Sequence, residues 1–74
     1  MSYQGEILFD ACYSVWPDET LVVEADGKGG ATLMIVEGNY PIDYFIKQHR
    51  FFSSEDAACD AADEMIEASY VRSH

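Results

Sequence analysis

The chain has 74 residues, of which 49% are hydrophobic, and its 14 acidic against 4 basic residues give a formal net charge of -10. A chain this short buries only about 60% of the surface that its unfolded form exposes, so we expect one domain spanning residues 1–74. The charge exceeds the magnitude of about 2–8 that suffices for solubility. It argues against direct binding to nucleic acid or anionic lipid, since both need basic surfaces, and it favours a basic protein surface as the partner.

The N-terminus and the cysteines indicate a cytoplasmic protein. Residues 1–5 have neither the basic nor the apolar part of a signal peptide, and no apolar run approaches the roughly 18 residues of a membrane span. Cys12 and Cys59 lie far apart, with no CxxC or Cys/His cluster. We therefore expect two reduced thiols rather than a zinc site or a disulfide.

Alternation of apolar and polar residues predicts two strands, over about 6–16 and 20–26. Odd positions are apolar in both: Ile7, Phe9, Ala11, Tyr13 and Val15, then Leu21, Val23 and Ala25. In a hairpin these residues share a face only if opposed positions sum to an even number, for example Val15 opposite Leu21. That pairing requires an odd loop, such as Pro17-Asp18-Glu19, or a bulge.

Two further strands are predicted over about 31–37 and 40–51, after the turn signal Asp26-Gly27-Lys28-Gly29-Gly30. The segment Leu33-Met34-Ile35-Val36 is apolar throughout, which indicates a central strand or one that is covered on both faces. On the fourth strand, alternation puts Ile42, Tyr44 and Ile46 on one face and Lys47 and His49 on the other.

A helix is predicted over about 54–70. The segment Ser53-Ser54-Glu55-Asp56 supplies a serine N-cap followed by acids at the positive end of the helix dipole. An apolar stripe recurs at helical spacing: Ala58, Cys59, Ala62, Met65, Ile66 and Tyr70. The element order β-β-β-β-α predicts an α+β fold, with a four-stranded antiparallel sheet and one C-terminal helix packed on a face.

One side of this helix carries only acids. Asp56, Asp60, Asp63 and Glu67 recur at i, i+4, i+7 and i+11 with Glu64 beside them, and no lysine or arginine lies between positions 51 and 71. Three i,i+4 pairs are of like charge, and together they cost about 1 kcal/mol. Solvation of an exposed face is one explanation, but a pattern that opposes local stability favours a binding role.

The spacing of these acids is suited to a site that is built for nucleic acid. Carboxylates one turn apart on a helix lie about 5–6 Å from each other, a scale similar to that of phosphates along a strand, so the row would fit a groove of Lys and Arg. Four further acids are expected to share the sheet face opposite the helix: Glu6, Asp10, Glu24 and Asp26. Trp16, beside Pro17, is the best candidate for an exposed interface anchor.

In length, charge and acidic helix stripe, the chain resembles the small acidic phage-encoded anti-CRISPR proteins of the DNA-mimic type. The resemblance implies a non-enzymatic inhibitor that blocks a DNA-binding or PAM-recognition site on a CRISPR-Cas effector in the host bacterial cytoplasm. Its partner would be a Cas protein that recognises DNA, and no cofactor would be needed.

Three other interpretations follow from the residues. A structural or assembly module, a homodimer or an antitoxin-like domain, would bury the two-sided segment 33–36 or Trp16 against another chain. A metal site is disfavoured because one straight helix cannot wrap an ion. An enzyme would need a cleft with a perturbed His49 or cysteine, and a 74-residue chain with one helix offers little room for one.

Overall fold

The structure, a computed structural model, describes residues 5–73, and of residues 70–73 the backbone alone. Four strands are followed by one helix: β1 (Ile7–Ser14), β2 (Glu19–Ala25), β3 (Ala31–Asn39), β4 (Asp43–Phe52) and α1 (Glu55–Ser73). All neighbouring strands are antiparallel, in the order β1-β2-β3-β4. The predicted α+β fold with a four-stranded sheet and a C-terminal helix is confirmed.

The main core lies between α1 and one face of the sheet. Ala58 and Ala62 of α1 are fully buried against β2 and β3, because alanine lets a helix approach a sheet closely. The sheet contributes Leu21, Val23, Leu33 and Ile35 to this core, and Cys59, Met65 and Ile66 pack around it. The predicted stripe is confirmed at every position except Tyr70, whose side chain lies outside the described residues.

A second, smaller apolar cluster lies on the face of the sheet that α1 does not cover, which we call the open face. It consists of Val22, Met34 and Val36, with Tyr40 packed against them. Successive residues of β3 therefore belong to the two clusters in turn. All four residues of the segment 33–36 are buried. This confirms that the segment is a central strand covered on both faces.

The even-sum rule holds in the middle of the β1–β2 hairpin, between its two bulges, but the expected pair does not form. Ala11, rather than Val15, lies opposite Leu21, and Phe9 lies opposite Val23. The connection is a four-residue turn over 15–18, and a bulge between Cys12 and Ser14 restores the pairing. Val15 belongs to this turn and is exposed, so the expected pair of Val15 with Leu21 is wrong.

An extra residue in β4 overturns the predicted facing of that strand. Ile46 pairs with Val36 and Gln48 pairs with Ile35, so Lys47 has no place in the ladder. This bulge reverses the alternation midway along β4, and Ile46 therefore shares the open face with His49. Ile42 precedes the strand and lies in the β3–β4 turn.

Candidate functional site

The start of α1 is fixed by contacts from two loops. The Ala57 backbone N–H donates a hydrogen bond to Ser54 Oγ over 3.3 Å, which confirms the predicted serine N-cap. The Glu55 backbone N–H donates to the carbonyl oxygen of Gly29, in the β2–β3 hairpin loop, over 3.2 Å. Nearer the other end of α1, the Ser69 hydroxyl donates to the carbonyl oxygen of Tyr13 over 3.0 Å. The helix is therefore held to the sheet along most of its length.

The acidic stripe lies on the exposed side of α1, with Glu64 at its border toward β4. Successive residues of an α-helix are about 100° apart, so the acids fall roughly opposite the buried Ala58 and Ala62. All five side chains of the stripe are exposed: Asp56, Asp60, Asp63, Glu64 and Glu67. The structure thus brings together the helix carboxylates that the sequence singled out.

These carboxylates have no cationic partner among the side chains that the structure describes. The ion pairs found there join Lys47 Nζ to Glu19, over 2.5 Å, and to Glu37, over 3.3 Å. The Glu19 hydrogen bond is the main reason why the pKa of Lys47 is raised above its usual value. Lys47 is thus paired with acids of β2 and β3, and it does not compensate the charge of the stripe.

The pKa of the Cys59 thiol responds to the negative charges of α1. Burial raises the pKa of its thiol above the ordinary value, and the carboxylates of Asp56 and Asp60 raise it further. A thiol in such surroundings stays protonated near neutral pH and is a poor nucleophile. The carboxylates of α1 therefore act on a thiol of the same helix.

The four acids expected on the open face are divided by the structure. Asp10 pairs with Val22, and Glu24 is on the same face, so these two lie where predicted. Ile7, not Glu6, lies opposite Glu24, because a bulge between Ile7 and Phe9 shifts the alternation by one residue. The grouping of Glu6 with the open-face acids is therefore wrong.

The Asp26 carboxylate forms hydrogen bonds within the β2–β3 loop and does not lie on the open face. Its Oδ1 accepts hydrogen bonds from the backbone N–H groups of Lys28, over 2.6 Å, and Gly30, over 3.1 Å. Gly27 and Gly29 in this loop have φ of 81° and 92°, a region that glycine enters without strain. The predicted turn is confirmed, and the placement of Asp26 on the sheet face is wrong because its carboxylate closes this turn.

Tyr40 lies on the open face, and its packing there was not predicted from the sequence. Its ring packs on the buried cluster and meets Tyr44 edge-on, with ring centroids 5.0 Å apart. Burial raises the pKa of the Tyr40 phenol, and the charges of Asp10 and Glu24 raise it further. The open face therefore combines two acids with an aromatic ring that covers the apolar cluster. In the sequence, only the segment 33–36, which is apolar on both sides, indicated that this face is covered.

Trp16 lies in the β1–β2 turn, and 92% of its surface is exposed. The backbone N–H of Gly38, near the end of β3, donates to the carbonyl oxygen of Asp18 over 3.0 Å, so this turn is tied to the sheet beside β3. The indole is exposed as expected, and its role as an interface anchor stays a prediction. It lies in a different element from the acidic stripe.

Among residues 5–73 there is no group of three or more Cys, His, Asp or Glu side chains arranged to hold a metal ion. A groove of about 260 Å³ lies between α1 and β4, with Leu33 as floor and Arg50, Phe52, Glu64 and Met65 among its walls. Arg50 stacks over Phe52 with its Cζ 4.8 Å from the ring centroid. The described residues that line the groove are mostly apolar, with Arg50 and Glu64 as its charged members.

Comparisons with protein-family models, with curated proteins and with solved structures found no match to this chain. Within the part of the chain that the structure describes, no helix is long and apolar enough to span a membrane. The function is therefore inferred from the residues of this chain.

Proposed function

We propose that this protein is a non-enzymatic inhibitor that binds a basic, nucleic-acid-binding protein surface through the acidic stripe of α1 and so imitates DNA charge. The observation that carries the proposal is the position of five exposed carboxylates opposite the buried alanines, without an ion pair among the described side chains. An unpaired row of one sign is costly unless a partner supplies the counter-charge.

The geometry of the stripe suits a site that normally takes a phosphate backbone. From Asp56 to Glu67 the helix rises about 16 Å, at 1.5 Å per residue. A Lys/Arg groove that closes on such a row would release bound counterions from both surfaces, as it does on binding DNA. Affinity should then fall steeply as salt concentration rises.

Rigidity of the stripe supports the same conclusion. The N-cap at Ser54, the Gly29 contact and the Ser69 hydrogen bond fix α1 on the sheet before any partner arrives. A pre-organised surface loses less entropy on binding than a flexible acidic tail. Such a surface also presents its charges at fixed spacings, which a groove built for DNA requires.

The class of partner comes from the resemblance to anti-CRISPR proteins. A Cas protein that recognises DNA in the host bacterial cytoplasm is the first candidate, and its DNA-binding or PAM-recognition site is the surface that the stripe would block. Asp10 and Glu24 on the open face and Trp16 in the β1–β2 turn are proposed as secondary contacts. A strongly acidic chain would bind the protein and not the nucleic acid itself.

The surfaces proposed for an assembly module differ in availability. The segment 33–36 is already buried within this chain, by α1 on one face and by Tyr40 on the other. It therefore cannot serve as a free interface. Exposed apolar residues lie instead on the neighbouring strand β4 and in the turns that carry Trp16 and Ile42.

Capture from a bacterial lysate tests the proposal. The bait is the wild-type chain, compared with a stripe variant (D60K/D63K/E67K) and a control variant (E6K/D18K/D43K) that makes the same change in net charge at exposed acids elsewhere. We expect wild type and control to retain the same basic nucleic-acid-binding protein at physiological salt, and the stripe variant to lose it. Equal retention by both variants would show that the stripe is not the binding site.

A further inference from the structure

We propose that two copies of this chain pair along the outer edges of their β4 strands and form a symmetric dimer with one continuous eight-stranded sheet. Within residues 5–73, β4 pairs with β3 on one side and no strand lies on its other side. Nine of its ten residues are exposed, and the strand presents apolar side chains on both faces. A long edge with unpaired backbone groups is a template for another strand.

The two edges of the sheet differ in their suitability for pairing. The β1 edge has two bulges, between Ile7 and Phe9 and between Cys12 and Ser14, and bulges are a common means of blocking an edge. The β4 edge has one bulge, at Lys47. It also carries Lys47 and Arg50 against a single acid, in a chain of net charge -10. Because Lys47 is already paired with Glu19 and Glu37, the two edges differ in their bulges rather than in their charge.

The exposed aromatic rings of β4 supply about half of the area that a dimer needs. Tyr44, Phe45 and Phe51 are 40, 57 and 62% exposed. If a whole aromatic side chain presents about 200 Å², these rings alone offer about 300 Å² per copy. A specific interface at the small end of the usual range takes about 600 Å² from each partner. Ile46, the long polar side chains and the strand backbone can supply the remainder.

The bulge selects a register. It leaves four residues on the open face, which are Tyr44, Ile46, His49 and Phe51, while Phe45, Gln48, Arg50 and Phe52 lie on the face toward α1. Placing Lys47 of one copy opposite Gln48 of the other sets residues of the same face against each other along the whole strand. Tyr44 then meets Phe51 of the second copy, Ile46 meets His49, and Phe45 meets Arg50.

Two of these pairs are favourable. The Tyr44–Phe51 pair joins two aromatic rings, and the Phe45–Arg50 pair sets a guanidinium beside a ring, as Arg50 already does with Phe52 in its own chain. No two like charges face each other in this register. The two-fold axis runs perpendicular to the sheet, so both α1 helices lie on one side of the dimer. Both acidic stripes would then face the same partner. This consequence rests on the proposed function, but the dimer itself does not rest on it.

Sedimentation velocity tests the dimer. We expect the wild-type chain to sediment as a dimer in the micromolar range and Phe51→Lys to sediment as a monomer. Trp16→Lys is the matched control, since it makes the same kind of change at an exposed aromatic residue outside β4, and it should remain dimeric. Circular dichroism establishes that each variant is folded. A wild-type monomer across the whole concentration range, or a folded Phe51→Lys dimer, would overturn the proposal.

A charge swap tests the register. Tyr44→Glu alone should give a monomer, whereas Tyr44→Glu combined with Phe51→Lys should restore the dimer, because each acid then faces a lysine of the other copy. A double variant that stays monomeric would contradict the register. The stripe variant D60K/D63K/E67K should remain dimeric even though it loses the basic partner, so failure of the dimer and failure of the proposed function are distinguishable.

Discussion

Reversing the charge of Asp60 should stabilise the fold while weakening binding to a basic partner. Asp60 is exposed on α1 and forms like-charge i,i+4 pairs with both Asp56 and Glu64. Asp60→Lys converts two pairs that each cost about 0.2–0.5 kcal/mol into two that each stabilise by a similar amount. Lysine also has a higher helix propensity than aspartate. The expected gain in the free energy of unfolding is about 1–2 kcal/mol at low salt.

Thermal unfolding followed by circular dichroism measures this gain. For a domain of 60–100 residues, 1 kcal/mol corresponds to a shift in Tm of about 4–8 °C. Asp60→Asn, which removes the repulsion without adding attraction, should give about half the gain, and high salt should reduce both gains. The control is Asp43→Lys, which makes the same charge change on β4. An unchanged or lower Tm for Asp60→Lys would refute the claim that the stripe opposes stability.

Three further predictions concern how α1 is held and what surrounds it. Ser54→Ala removes the N-cap and should lower the free energy of unfolding by about 1 kcal/mol in chemical denaturation, whereas Ser53→Ala should have little effect. Ala62→Leu overpacks the fully buried contact between α1 and the sheet and should cost about 1–3 kcal/mol by the same measurement. Iodoacetamide reacts with thiolates, and the pKa of Cys59 is raised by burial, so mass spectrometry at mildly alkaline pH should find the exposed Cys12 modified well before Cys59.

Local chemistry made much of the fold predictable. Alternation over the first two strands identified the residues that pack against α1, and the glycines of the β2–β3 loop marked a turn that needs positive φ. Ser54 marked the start of the helix because its hydroxyl satisfies a free backbone N–H. The five helix acids were placed correctly since helical periodicity alone fixes which side they occupy.

The wrong predictions of which face a residue occupies arise where one extra residue is present in a strand. A bulge leaves the apolar pattern of the sequence unchanged but reverses which face the later residues occupy, as it does after Lys47 and before Phe9. Val15 and Ile42 continued the apolar alternation into turns, so periodicity could not end their strands. Tyr40 covers the open face by packing against the cluster of Val22, Met34 and Val36, which no alternation pattern encodes.

The α1 stripe is proposed to occupy a site that otherwise binds DNA. Its most direct test is competition, in which labelled DNA is first bound to the captured basic protein and its fluorescence anisotropy is followed as this chain is added. We predict that the wild-type chain and the E6K/D18K/D43K control release the DNA, and that D60K/D63K/E67K does not. Simultaneous binding of DNA and the wild-type chain, or equal release by the stripe variant, would contradict the claim.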